Sequence, residues 1–330
     1  MGIAAVPASA VKESLAAESD LRVRAAARTD VGMVRERNED AAYVDPRGRF
    51  FIVADGMGGH AAGDVASQLA VDVVRQRLEA DRVYVERFAG MPPEQRQLLA
   101  MTVLECAVGA AHEEVCRRAR REPDKHGMGT TLEVVLVTGS EAFVAHAGDS
   151  RTYLIRDGLA TQITRDHTVA AVLASDGQMS PEQVRLSPMR SVLVNAVGVG
   201  GDVHVDLTYV PLRPGDRLLI CTDGLYHYFA ADELVAEMAW TDAGRAVESL
   251  VDGARDRGGH DNVTGVVVEV IDPRHGPALA AVTAEYDAIS IEVDGGDDSD
   301  GVVRAITEDG EDSDDRAEFD LSDLGQVAAR

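Results

Sequence analysis

Cysteine is scarce in this 330-residue chain: there are three, Cys106, Cys116 and Cys221, and no two form a Cys-x-x-Cys pair. An odd, sparse and unpaired set reads as reduced thiols in a cytosolic protein. A cysteine nucleophile is not the expected chemistry, since a buried cysteine usually serves as a small apolar residue. Long hydrophobic runs are absent as well. No apolar stretch approaches 18 residues, which argues against a transmembrane helix. The first residues, "MGIAAVPASAVKESLAAESD", have no charged region ahead of a long apolar stretch, so they do not read as a secretory signal. Positive charge is in short supply, with 32 Lys and Arg against 57 Asp and Glu, a net charge of -25. A binder of nucleic acid or of an anionic membrane would show a basic face, and none is evident. There is no internal repeat of solenoid type.

What is present is material for a core. Hydrophobic residues make up 45% of the chain, enough for one large domain or two medium ones. Residues 1–20 read as a loose leader or short helix. Residues 21–272 read as a globular domain. "RFFIVAD" is strand-like, and "AAGDVASQLAVDVVRQRLEA" and "PPEQRQLLAMTVLECAVGAAHEEVCRRARR" carry apolar residues at helical spacing. Short β-rich runs follow: "TTLEVVLVTG", "EAFVAHAGD", "RTYLIRDG" and "LATQIT". "AAVLASDGQMSPEQVRLS" reads as two short helices around a turn. "DVHVDLTYVPL", "DRLLICTDG" and "VTGVVVEVID" return to strand, with "ADELVAEMAW" and "AGRAVESLVDGARDRG" helical before the last of them. This order suggests a layered α+β fold, because a doubly wound parallel sheet would alternate more strictly. Residues 273–330 read as an acidic, largely disordered tail. Residues 271–330 hold roughly 17 acidic and 4 basic residues, about half of the net charge, with little to bury. Within the tail, "ALAAVTAEYDAISIEVD" is compatible with a strand or a short helix.

The candidate chemistry sits in the aspartates. "DGMGGH", from Asp55 to His60, directly follows the apolar run "FFIVA". Asp-Gly alone is an ordinary turn signal, and the chain has eight such pairs. The company it keeps is more informative. "FFIVAD" ends in Asp55, "EAFVAHAGD" in Asp149 and "RLLICTD" in Asp223, while "GGHD" puts Asp261 just before a strand. In antiparallel pairing the end of one strand lies beside the start of the next, so these ends can meet at one edge. Glu39 and Asp40, in "RERNED", precede a further strand and can join them. Gathered carboxylates repel one another unless cations neutralise them, and all-oxygen ligands suit Mg²⁺ or Mn²⁺. Two such ions can share a bridging hydroxide as nucleophile toward a phosphoryl group. Arg35, four residues before Glu39, offers a guanidinium that fits phosphate oxygens. Spacing alone does not decide between this site and a set of ordinary caps and turns.

The ordered set "RERNED", "DGMGGHAAGDVAS", "GMGTTL", "AHAGDSRTYLIRDG", "ITRDHT", "LLICTDGLYH" and "GGHDNVTGVVVEV" closely resembles bacterial type 2C metal-dependent serine/threonine phosphatases, over about residues 25 to 271. The resemblance implies a four-layer α-β-β-α sandwich of two antiparallel sheets flanked by helices. It implies that Asp55 bridges two tightly bound ions, Mn²⁺ or Mg²⁺, and that the Gly56 carbonyl binds one. Asp223 and Asp261 would bind the second ion, with Glu39 and Asp40 supporting the centre directly or through water. Asp149 matches the ligand of a third, looser ion in bacterial members, shared with Asp223. Arg35 matches the phosphate-binding arginine. Asp166, in "TRDH", is a weaker metal candidate for which a structural role is favoured. Met57 cannot donate a proton, and His60 is the nearest residue to this turn able to act as general acid; an exposed helix-start histidine is the competing reading. "GMGTT" reads as a structural turn without direct chemistry. The segment around Arg185 and Arg190 resembles a flap beside the site.

The implied function is hydrolysis of phosphoserine and phosphothreonine in the cytoplasm, without a phosphoenzyme. The implied partners are phosphorylated proteins and a cognate serine/threonine kinase or its substrates, with no nucleic acid and no membrane. Two alternatives stand beside it: a phosphatase of an anti-sigma-factor antagonist, and a non-catalytic phosphoprotein-binding module of the same fold.

Overall fold

The computed structural model describes residues 21–271, apart from 59–61, 82–87, 89–90 and 240–241. The expected leader (1–20), the acidic tail (273–330) and His60 therefore lie outside the described residues. The chain opens with strands β1 (Arg22–Asp30), β2 (Asp40–Val44) and β3 (Phe50–Met57). Two long helices follow, α1 (Gly63–Ala80) and α2 (Pro93–Arg121). Then come β4 (Gly129–Thr130), β5 (Leu132–Thr138), β6 (Glu141–Ala147), β7 (Arg151–Arg156) and β8 (Leu159–Gln162). Short helices α3 (Val169–Ser175) and α4 (Pro181–Leu186) precede β9 (Asp206–Pro211) and β10 (Arg217–Cys221). The described chain closes with α5 (Asp223–Tyr226), α6 (Ala231–Ala239), α7 (Ala243–Asp256) and β11 (Val263–Ile271).

The strands form two sheets. One has five strands in the order β1-β11-β10-β7-β8; the other has the order β2-β3-β5-β6-β9, with β4 pairing β3 at one end. Neighbouring strands pair antiparallel.

Side-chain alternation shows how the layers stack, since successive residues of a strand point to opposite faces. Phe50, Ile52 and Ala54 of β3 pack with Ala66, Ala70 and Val74 of α1 and Leu104, Val108 and Ala111 of α2. The intervening Phe51 and Val53 pack instead with Leu218 and Ile220 of β10 and Val266, Val268 and Val270 of β11. On the far side of that second sheet, Leu219, Val263 and Val267 meet Leu250, Val251 and Ala254 of α7. Three apolar interfaces separate four layers: helices, sheet, sheet, helices. Strands covered on both faces read as near-continuous apolar runs, which is why "FFIVA", "RLLIC" and "VTGVVVEV" show no polar alternation. Each fully buried Val, Leu, Ile or Phe contributes roughly 1.5–3 kcal/mol to this packing.

The helix boundaries follow local chemistry. α2 has proline at its start, where no backbone donor is needed, and stops at Glu122, just before Pro123. α4 carries a capping box between Ser180 and Gln183. One expected strand is shorter than its sequence suggests. "DVHVDLTYVPL" reads as continuous, but β9 begins only at Asp206. The Asn195 side chain takes the His204 backbone groups instead, accepting from its N–H at 2.9 Å and donating to its carbonyl at 2.8 Å. Bonds to that side chain stand in for a ladder there.

Candidate active site

The register of β2 against β3 places Asp40 directly opposite Asp55. Across the other sheet, Arg151 pairs with Cys221 and Cys221 with Gly265. The end of β10, the start of β7 and the start of β11 thus share one end of the sandwich. The aspartates carried there feel one another. Burial raises the Asp55 carboxyl well above its ordinary range, and the charges of Asp40, Asp223, Asp149 and Asp261 raise it further. Burial pushes Asp40 up to about 7 against the hydrogen bonds it accepts from Thr264 and Thr222. Burial and then Asp223 push Asp149 to about 7, while burial and Asp261 push Asp223 to about 6. Glu39 is raised by burial, in part offset by Arg35.

Several of these residues are held by their neighbours, mostly through the backbone. The Glu39 backbone N–H donates to Asn262 Oδ1 at 2.8 Å. Its carbonyl accepts from Gly56 N–H at 3.0 Å and from the Ser67 hydroxyl at 2.6 Å. Asp40 Oδ2 accepts from the Thr222 hydroxyl at 3.0 Å, while its Oδ1, though buried, has no hydrogen-bond partner. The backbone of Asp55 is fixed on both sides: its N–H donates to Thr131 Oγ1 at 2.8 Å, and its carbonyl accepts from Thr130 Oγ1 and Thr131 N–H at 2.9 Å each. Thr131 Oγ1 in turn meets Ser150 Oγ at 2.7 Å, next to Asp149. The Tyr226 hydroxyl donates to the Asp149 carbonyl at 3.1 Å.

Glycine is required after two of the aspartates. A Cβ on Gly56 would sit 2.1 Å from the Gly63 carbonyl oxygen, and one on Gly224 would sit 1.9 Å from that of Asn262. No side chain fits either place, so the Asp-Gly pairs at 55 and 223 let two backbones touch.

Arg35 lies on the exposed segment between β1 and β2. Its Nη2 donates to Asp261 Oδ2 at 2.9 Å, and its Nη1 lies 4.0 Å from Glu39 Oε2. Burial alone would lower its pKa, but the Asp261 charge and hydrogen bond outweigh that and raise it. Asp166 is engaged by an arginine, and its charge also acts on Asp149. It accepts two hydrogen bonds from Arg151, at 2.8 and 2.7 Å, and the Arg151 guanidinium lies 3.7 Å over the Tyr226 ring. That is a buttress beneath Asp149, in keeping with a structural part for Asp166. His227 Nδ1 stands 3.6 Å from Asp223 Oδ2. Burial, with Arg151 and Arg190 adding to it, lowers its pKa to about 4.

Sequence reading missed the supporting groups: Thr131, Thr222, Asn262, Tyr226 and His227. A signal existed for some of them. Thr222 immediately precedes Asp223 at the end of an apolar run, and Asn262 immediately follows Asp261.

No three His, Cys, Asp or Glu side chains among the described residues are drawn together as a closed ligand set. The donor set nevertheless suits divalent cations. It is all oxygen, as hard ions require. A buried oxygen of Asp40 has no partner, and carboxyls raised by burial and then by one another's charge lose that penalty when a cation joins them.

The protein phosphatase 2C family model matches residues 34–258. The chain is 38% identical over 275 residues to the serine/threonine protein phosphatase PstP of Mycobacterium tuberculosis, covering 82% of this chain and 50% of that protein. It is 36% identical over 247 residues to the serine/threonine phosphatase stp of Listeria innocua, covering 73% of this chain and 94% of that one. The crystal structure of the PstP catalytic domain in complex with two manganese ions superposes with a TM-score of 0.65 at 37% identity, covering 76% of this chain and 100% of that one. This chain belongs to the protein phosphatase 2C family. It spans about half the length of PstP.

Proposed function

We propose that the chain is a Mn²⁺- or Mg²⁺-dependent phosphatase acting on phosphoserine and phosphothreonine in proteins. The observation that carries this reading is the convergence of Asp40, Asp55, Asp149, Asp223 and Asp261 from both sheets, with Arg35 beside them. The relatives' names agree with it, and so do the two manganese ions of the PstP structure.

In this reading Asp55, the Gly56 carbonyl, Asp223 and Asp261 would hold a pair of cations. Glu39 and Asp40 would support the pair directly or through water, and Asp149 with Asp223 would hold a third, looser ion. Bound there, such ions acidify a water and draw charge off phosphoryl oxygens. The chain's own part is to place and orient. The threonine bonds on both sides of Asp55 fix the backbone from which its carboxylate projects. The Arg35 guanidinium, already directed into the acidic cluster, offers its fork of N–H donors to the phosphate. The leaving seryl or threonyl oxygen needs a proton, which we assign to His60.

The substrates we propose are phosphorylated proteins, with a cognate serine/threonine kinase as the opposing enzyme. A cytoplasmic location is consistent with the three free cysteines. Among the described residues no helix is long and apolar enough to cross a membrane. A non-catalytic binding module would have lost a ligand, yet an acidic side chain stands at every position the family pattern asks for. The test is hydrolysis of p-nitrophenyl phosphate and of a phosphothreonine peptide with Mn²⁺, with and without EDTA. Turnover of both that EDTA abolishes is expected. Binding of the peptide without turnover would overturn the reading in favour of the binding module.

A further inference from the structure

Asn262 makes four directed contacts around the site. Its Nδ2 donates to the carbonyl of Val31 at 3.0 Å and to that of Arg37 at 2.8 Å. Its Oδ1 accepts from the Glu39 N–H at 2.8 Å, and its own backbone N–H donates to Asp261 Oδ1 at 2.8 Å. The side chain is buried, at 4% exposure. The segment it grips is not: residues 33–37 are exposed, with Met33 at 64% and Val34 at 61%. One amide therefore ties an exposed segment at three backbone points, on both sides of Arg35.

We infer that Asn262 is the positioning residue for Arg35, setting the guanidinium over the site by pinning the backbone on either side of it. This rests on the proposed phosphate-binding role of Arg35. The physical case is entropic. An arginine on an exposed segment loses backbone and side-chain freedom when it grips an oxyanion. A buried amide that has already ordered the segment removes the backbone share of that loss. Asparagine suits the task because it presents two donors and an acceptor in one plane. A carboxylate at this position would turn an oxygen toward the Val31 and Arg37 carbonyls. Other backbone ties lie toward the ends of the segment. Gly32 N–H donates to Asp30 Oδ1 at 2.9 Å, Met33 N–H to the Gly259 carbonyl at 2.7 Å, and Gly56 N–H and the Ser67 hydroxyl to the Glu39 carbonyl. Asn38 Nδ2 donates to Thr29 Oγ1 at 2.7 Å. Each of these holds one side of Arg35, whereas the Asn262 amide holds both.

The test is a double-mutant cycle on the full chain, combining Asn262→Ala and Asn262→Asp with Arg35→Ala. The readouts are KM and kcat for p-nitrophenyl phosphate, inhibition by inorganic phosphate, and the Mn²⁺ concentration for half activity. Asn262→Asp keeps the volume and the Oδ1 acceptor, so it reports on the two donors even if the alanine variant folds poorly. Either substitution should raise KM and the phosphate inhibition constant about tenfold, with kcat and the Mn²⁺ requirement changed less than about threefold. In the Arg35→Ala background the same substitutions should add little, because a residue acting through Arg35 is non-additive with it. Multiplying effects would overturn the inference while leaving the phosphatase reading intact, as would a loss confined to kcat or to the Mn²⁺ requirement. If Arg35→Ala alone leaves KM and phosphate inhibition unchanged, the role of Arg35 fails and this inference fails with it.

Discussion

The hydroxyl of Thr222, at the end of β10, donates to the carboxylate of Asp40, at the start of β2, across 3.0 Å. The two residues belong to different sheets, so this bond closes the sandwich at the candidate site. It also tunes it, since the bond opposes the burial that raises the Asp40 pKa. Thr222→Val keeps the shape and removes the donor. The carboxyl should then titrate higher, and a cation would have to displace a more tightly held proton. The Mn²⁺ concentration for half activity should rise, more at pH 6.5 than at pH 8, and stability should fall by about 1–3 kcal/mol. Metal titrations at the two pH values and urea melts check both effects. An unchanged Mn²⁺ requirement at pH 6.5 would remove Thr222 from the site.

The raised carboxyls make the metal-free protein pH-sensitive with a definite sign. Asp40 and Asp149 stand near 7 and Asp223 near 6, against roughly 4 for aspartate in an unfolded chain. A group raised on folding stabilises the folded state below its unfolded pKa, and that contribution is lost as pH rises through the folded value. The melting temperature of EDTA-treated protein should therefore fall from about pH 5 to pH 8, and the stabilisation by Mn²⁺ should grow over the same window. Differential scanning calorimetry with and without metal measures it. A metal-free melting temperature that climbs across this window would contradict the clustering of these charges.

Asp55→Asn and Asp223→Asn should each lower Mn²⁺-dependent turnover by orders of magnitude while the fold survives. The substitution is nearly isosteric and, in the metal-free state, removes a repulsive charge. The melting temperature without metal should accordingly hold or rise. Near-normal turnover in either variant would sink the assignment of that residue.

A chain ended after Asp272 should keep the chemistry. β11 ends at Ile271 and pairs along its length with β1, and with β10 on its other edge, so every described strand of both sheets lies before the cut. The comparison is kcat/KM and solubility of the shortened and full chains. An insoluble or inactive short chain would show that "ALAAVTAEYDAISIEVD" packs on the domain.

The sequence by itself determined the layers. A strand covered on both faces is a near-continuous apolar run, so "FFIVA" and "VTGVVVEV", which do not alternate with polar residues, are readable as central strands. It also placed aspartates at strand ends, and glycine after Asp55 and Asp223 where two backbones would later touch. These are local facts, carried by neighbours along the chain. What only the tertiary structure decided is who faces whom. That Asp40 opposes Asp55 depends on the register of β2 against β3, and a slip of one residue would turn Asp40 to the other face. The Thr222–Asp40 and Asn262–Glu39 bonds join residues 182 and 223 positions apart, a separation that no periodicity encodes. Asp166, read from the sequence as a weaker metal candidate with a structural role favoured, has Arg151 as its partner because the end of β8 returns to the start of β7. Hydrogen-bond partners of this kind are chosen by packing of distant segments, after the hydrophobic pattern has brought the layers together.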